Sequence, residues 1–237
     1  MRGIVAISGL THSVIFDKNR VKECDNEKKC PVVTISRDVG AGGGHIAELL
    51  AQQLGIPCYG YSMIDGIINE AKTDKHLMNL MDERYPSILE HWISNLILKG
   101  NFSKAEYHRR LTQTVYAIAN TGGVILGRGA HLILANKPNV FRVRIEGSLE
   151  QCAKRVSKRE NVTLDEAKKI IAERTKERAD FLKDFYKMFP NNLRYSDLVI
   201  NTDKASDKNA VEIILFAMEK MGHPVAKSGT VGMQKNP

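Results

Sequence analysis

The chain lacks the signals of several large protein classes. Its four cysteines, Cys24, Cys30, Cys58 and Cys152, form no C-x-x-C pair, so their spacing points to neither a zinc site nor a disulfide framework. A reducing compartment follows as the default, and the expected location is cytoplasmic. No apolar run reaches the roughly 20 residues of a membrane span. The piece from Gly3 to Leu10 is cut off by Thr11-His12-Ser13, too soon for a signal peptide. No Ser-His-Asp arrangement or metal-ligand cluster can be assigned from spacing. Nucleic acid ranks last among anionic partners, because there is no aromatic stacking motif and no DNA-binding pattern.

What is present is a globular composition with a basic bias. The 237 residues are 43% hydrophobic and 26% charged, enough for one sizeable core, and the formal charge of +8 favours an anionic partner. Residues 1–30 read as an extension ahead of a core domain at 31–221, and residues 222–237 as a Gly/Pro/Lys-rich flexible tail. Within the core, short β-rich runs alternate with helical periodicities, the pattern of β-α units around a parallel sheet. The runs Val32 to Ser36, Cys58-Tyr59, Val124 to Gly127, Val140 to Ile145 and Leu198 to Asn201 predict strands. Helices are predicted from His45 to Leu54, through a mainly helical insertion at about 62–120, across a charged region from Leu149 to Ala179, and from Ala210 to Met221.

The densest signal is Val32-Val33-Thr34-Ile35-Ser36-Arg37-Asp38-Val39-Gly40-Ala41-Gly42-Gly43-Gly44-His45. A β-branched run enters a glycine-rich turn that opens into an amphipathic helix, so backbone N–H groups from Gly40 to His45 can converge on an anion at the positive helix end. A tight turn needing only small residues is the plainer reading, but four glycines in five positions exceed that need. The G-x-G-x-x-G dinucleotide fingerprint does not fit, because its third glycine and the acidic residue that should follow are missing. The lysine and hydroxyl that would close a G-x-x-x-x-G-K-[ST] loop are also missing.

Three further groups bear on anion binding. Arg128, between Gly127 and Gly129 at the end of a predicted strand, is placed to clamp a phosphate, or else is an exposed loop residue. Arg155 and Arg159, and Arg174 and Arg178, are each four apart and share helix faces; they form either a basic lid or a solvated face neutralised by Glu150, Glu160, Glu173 and Glu177. His108-Arg109-Arg110 either reaches an acidic ligand or lies on the surface, and His91-Trp92 reads as helix packing.

Taken in order, Ile35-Ser36-Arg37 through Gly44, Ile46-Ala47, Ile56-Pro57-Cys58-Tyr59, Gly127-Arg128-Gly129, Arg155/Arg159, Glu177-Arg178 and Asp197 to Thr202 resemble the cytidylate kinase-like family over about residues 32–221. The resemblance implies a three-layer α/β fold of the P-loop NTPase type, with a parallel sheet, a helical NMP-binding insertion at about 62–120 and a helical lid at about 150–190. It implies ATP-dependent phosphorylation of CMP or a related nucleotide with Mg²⁺. Gly40, Ala41, Gly42, Gly43, Gly44 and His45 would then bind phosphate, Arg128 the acceptor, and Arg37, Arg155, Arg159 and Arg178 the transferring group. Relative to cytidylate kinase itself, the loop lysine is Gly43, the Mg²⁺-binding hydroxyl is His45 and the first loop glycine is Arg37; Gly60 replaces a usual aspartate. These losses leave a catalytically weak or inactive nucleotide-binding regulator as the alternative. No oligomeric state is readable.

Overall fold

The computed structural model describes residues 30–70, 103–188 and 193–225. The predicted extension, the middle of the insertion with His91-Trp92, and most of the predicted tail lie outside the described residues. Five strands form one sheet: β1 (Val32–Arg37), β2 (Cys58–Tyr59), β3 (Gly123–Leu126), β4 (Val140–Glu146) and β5 (Leu198–Asn201). Their order is β2-β3-β1-β4-β5 and every pairing is parallel. The chain leaves β1 toward one edge of the sheet and leaves β4 toward the other. Such a reversal opens a crevice at the carboxyl ends of the central strands, where open α/β sheets bind ligands.

Seven helices of the described residues pack on this sheet: α1 (Gly43–Leu54), α2 (Tyr61–Glu70), α3 (Lys104–Thr121), α4 (Ala130–Ile133), α5 (Leu149–Glu160), α6 (Leu164–Tyr186) and α7 (Asp207–Lys220). Alternating side chains send Val33, Ile35, Val124, Phe141, Val143 and Ile145 into one core with α1, α5, α7 and the first half of α6. Val32, Ile125 and Val140 point the opposite way, into a second core with α2, α3, α4 and the far end of α6. The sheet is therefore the middle of three layers, and α6 is long enough to serve both cores.

Caps explain where the observed boundaries depart from the periodicity. The charged region is two helices, because Asn161 adopts a left-handed conformation (φ 54°) that ends α5, and Thr163 with Glu166 forms a capping box that starts α6. α7 begins three residues before the predicted start, since the Ser206 side chain accepts a hydrogen bond from the Asn209 N–H at 3.2 Å. α1 takes in Gly43 and Gly44, which read as loop in the sequence. Cys30 is disulfide-bonded, against the sequence expectation, whereas Cys58 and Cys152 are free. Among the described residues no helix is long and apolar enough to cross a membrane.

Candidate functional site

The glycine turn joins β1 to α1 at the crevice. Gly40 (φ 86°) and Gly42 (φ 80°) are both left-handed, and a Cβ at Gly40 would lie 2.7 Å from the Cys152 carbonyl oxygen. Only glycine fits there, on conformation and on space. Ala41 is fully buried, and its carbonyl lies 3.0 Å from the Thr202 hydroxyl, which ties the turn to the end of β5. The first intrahelical bond of α1 runs from Ile46 N–H to Gly42 O at 3.1 Å, and no side chain caps the helix. The amides of Gly43, Gly44 and His45 are thus helix-end donors available to an anion.

Arg37 occupies the room that a side chain at position 43 would need. A Cβ added to Gly43 would lie 2.7 Å from the Arg37 Cβ and 3.0 Å from its Cγ. The Arg37 side chain crosses the crevice to the Gly127 turn, where its guanidinium fills the space a Cβ at Gly127 would take. Burial, then the nearby cations Arg178, Arg128 and Arg144, lower the Arg37 pKa. Arg178 donates to the Arg37 carbonyl at 3.0 Å, and its own pKa is lowered, first by burial. Arg144, 6% exposed, is neutralised by Asp38 and by Glu146 at 3.3 Å. Among the described residues Arg37 and Arg178 have no such carboxylate pair, so positive charge is concentrated where the glycine amides converge.

Arg128 occupies the neighbouring turn, between β3 and α4. Gly127, Arg128 and Gly129 are all left-handed (φ 80°, 53° and 69°), a conformation that residues other than glycine seldom adopt. The guanidinium pairs with Asp65 of α2, whose other oxygen accepts the Tyr107 hydroxyl at 2.7 Å. The rings of Phe181, Tyr61 and Tyr107 lie 5.4, 5.7 and 6.0 Å from its Cζ. The Arg128 Nε is buried without an acceptor.

The remaining sequence-predicted residues sit elsewhere. Arg155 donates to the Thr202 carbonyl at 2.6 Å and so braces the end of β5, while Glu160 pairs with its neighbour Arg159 at 2.8 Å and, across the α5–α6 corner, with Arg174 at 2.6 Å. These two arginines hold the Glu160 carboxyl below its usual range. His45 has a 61% exposed side chain, 4.0 Å from Glu48. His108 is buried in the second core, stacked on Phe185 at 5.0 Å, and Arg109 pairs with Glu106 at 3.2 Å. Sequence reasoning missed Tyr61, Asp65, Tyr107, Phe181, Tyr186 and Arg144. Arg144 alone carried a signal, as one of two arginines, with Arg142, inside a mostly apolar strand.

Comparison with known proteins agrees with this architecture. The chain is 27% identical over 200 residues to the cytidylate kinase of Methanopyrus kandleri, covering 80% of this chain and 94% of that one. It is 33% identical over 129 residues to the cytidylate kinase of Methanocaldococcus jannaschii, covering 51% and 72% respectively. A solved structure of an uncharacterized protein from Eubacterium ventriosum superimposes with a TM-score of 0.63 at 23% identity, covering 81% of this chain and 99% of that one, and shares the fold. Residues 32–204 match the model of the cytidylate kinase-like family, and the chain belongs to that family.

Proposed function

We propose that the crevice binds the phosphates of ATP on the Gly40–Gly44 turn and transfers the terminal phosphoryl group to a nucleoside monophosphate, CMP or a close analogue, bound at Arg128. The observation that carries this reading is Arg37. Its side chain takes the space above Gly43, and its charge is left uncompensated by acids. Phosphoryl transfer depends on positioning and on neutralising charge around the transferring group. Arg37 and Arg178 supply that charge in place of a loop lysine, and the glycine amides hold the donor. The related proteins named cytidylate kinase favour a pyrimidine nucleotide as acceptor. Residues at about 62–120 would serve as the acceptor-binding insertion and those at about 150–190 as the lid, and the ATP requirement fits a cytoplasmic setting.

The glycine turn fits a triphosphate, because its helix-end amides have free donors. The fit to Mg²⁺ is poorer: His45 replaces the hydroxyl ligand and Asp38 is engaged by Arg144. A second reading, a nucleotide-binding regulator with little turnover, is favoured by the Arg128–Asp65 pair, which occupies the acceptor group. A coupled assay across the nucleoside monophosphates, with ATP and GTP as donors, separates the two. Turnover with CMP supports the first; nucleotide binding without turnover supports the second, and no nucleotide binding at all sinks both.

A further inference from the structure

We infer that Tyr186 is the positioning residue for Arg128: its hydroxyl fixes the left-handed turn that presents the guanidinium to the crevice. The inference rests on the reading of Arg128 as the group that holds the acceptor's phosphate. Three consecutive left-handed residues, one of them an arginine, persist only where surrounding contacts over-determine them. Each residue of the turn is held by hydrogen bonds, and the Gly129 carbonyl accepts from the Leu132 and Ile133 N–H groups at 2.8 and 3.0 Å. Gly127 N–H donates to Ile35 O at 3.0 Å, Ala130 N–H donates to Gly127 O at 3.1 Å, and the Tyr186 hydroxyl donates to the Arg128 carbonyl at 2.9 Å.

The backbone bonds anchor Gly127 and Gly129, and among the described residues Tyr186 alone bonds the arginine's own carbonyl. The fit is close, since a Cβ at Gly129 would overlap the Tyr186 ring, and the tyrosine is 3% exposed. It is also the last residue of α6, which ends there because Lys187 is left-handed (φ 52°). Two turns earlier on the same helix, Arg178 bonds the Arg37 carbonyl, and Phe181 between them covers the Arg128 guanidinium. One helix thus holds both arginine-bearing turns, and Tyr186 is its contact with the second. Its ring also packs against His108 at 5.4 Å and Phe181 at 6.1 Å, so a purely packing role is the competing explanation.

Tyr186→Phe separates the two, because it keeps the ring and removes only the hydroxyl. Calorimetry with CMP and with inorganic pyrophosphate is run on the full chain as wild type, Tyr186→Phe, Arg128→Ala and the double variant. Loss of one neutral hydrogen bond predicts a CMP affinity lower by about two- to tenfold. Pyrophosphate, held at the glycine turn, should bind as in wild type. On the Arg128→Ala background the tyrosine change should have no further effect, because its influence runs through that arginine. Unchanged CMP affinity in Tyr186→Phe overturns the inference, as does an equal loss for pyrophosphate or an undiminished effect on the Arg128→Ala background. A wild-type chain that binds pyrophosphate but no nucleoside monophosphate overturns the acceptor reading itself, and the inference with it.

Discussion

At the scale of single residues, Arg37 and Gly43 act as one unit. Gly43→Lys, which would restore the missing loop lysine, drives a side chain into Arg37 and should destabilise the fold by about 1–3 kcal/mol. The exchange Arg37→Gly with Gly43→Lys should regain most of that loss, read as denaturation midpoints of the three proteins. If Gly43→Lys alone is as stable as wild type, the two side chains do not compete for one space. Burial and the neighbouring cations lower the Arg37 pKa, so its charge is held at a cost, yet a guanidinium stays protonated from pH 7 to 10. Arg37→Ala should therefore weaken pyrophosphate binding about ten- to a hundredfold across that whole range. Unchanged affinity in calorimetry would remove Arg37 from the anion site.

At the scale of elements, the α3–α6 contact is the acid-sensitive joint of the second core. His108 on α3 is 3% exposed, stacks on Phe185 of α6, and has both ring nitrogens without partners. Burial lowers its pKa to about 4, so the unfolded chain takes up a proton below pH 6.5 that the folded chain refuses. Stability is therefore full above that range and falls by about 3 kcal/mol as pH drops from 6.5 to 4. His108→Phe keeps an aromatic ring against Phe185 and should remove most of that loss, as urea unfolding at pH 7 and pH 4.5 would show. Equal acid losses in the two proteins would place the histidine outside this linkage. The same joint shows what sequence could and could not deliver. The glycine turn and the five strands are legible in the sequence because each rests on local pattern. Local pattern offered His108-Arg109-Arg110 as a ligand-facing or surface group, yet tertiary packing buries the histidine and leaves Arg109 on Glu106. Arg155 and Arg159 share a helical spacing, but Arg155 turns to the Thr202 carbonyl after β5 and Arg159 to its neighbour Glu160, and spacing does not encode which partner tertiary packing supplies.

At the scale of the molecule, the formal charge of +8 is distributed unevenly in its consequences. Arg142 is neutralised by Asp197 at 3.0 Å, Arg144 by Asp38 and Glu146, Arg128 by Asp65, and Arg159 and Arg174 by Glu160. Of the arginines facing the crevice, Arg37 and Arg178 form no carboxylate ion pair among the described residues, and Arg178 holds the Arg37 carbonyl at 3.0 Å beside the amide-rich end of α1. Holding two such cations together opposes folding, and an anion between them relieves it, so ligand binding and stability are linked. Pyrophosphate at about a hundred times its dissociation constant should add about 2.7 kcal/mol. For a protein of this size that is a rise of about 5–11 °C in melting temperature. The rise should be larger at low than at high ionic strength, because partly exposed charges are screened. Potassium chloride at matched ionic strength supplies only diffuse screening, without an oxyanion to bridge the glycine amides and the two guanidinium groups. It should therefore give a much smaller shift, and Arg178→Ala should reduce the pyrophosphate effect without abolishing it, since Arg37 and the amides remain. An equal shift from chloride would mean that the crevice answers to net charge alone, and the glycine turn would lose its role as an oxyanion site.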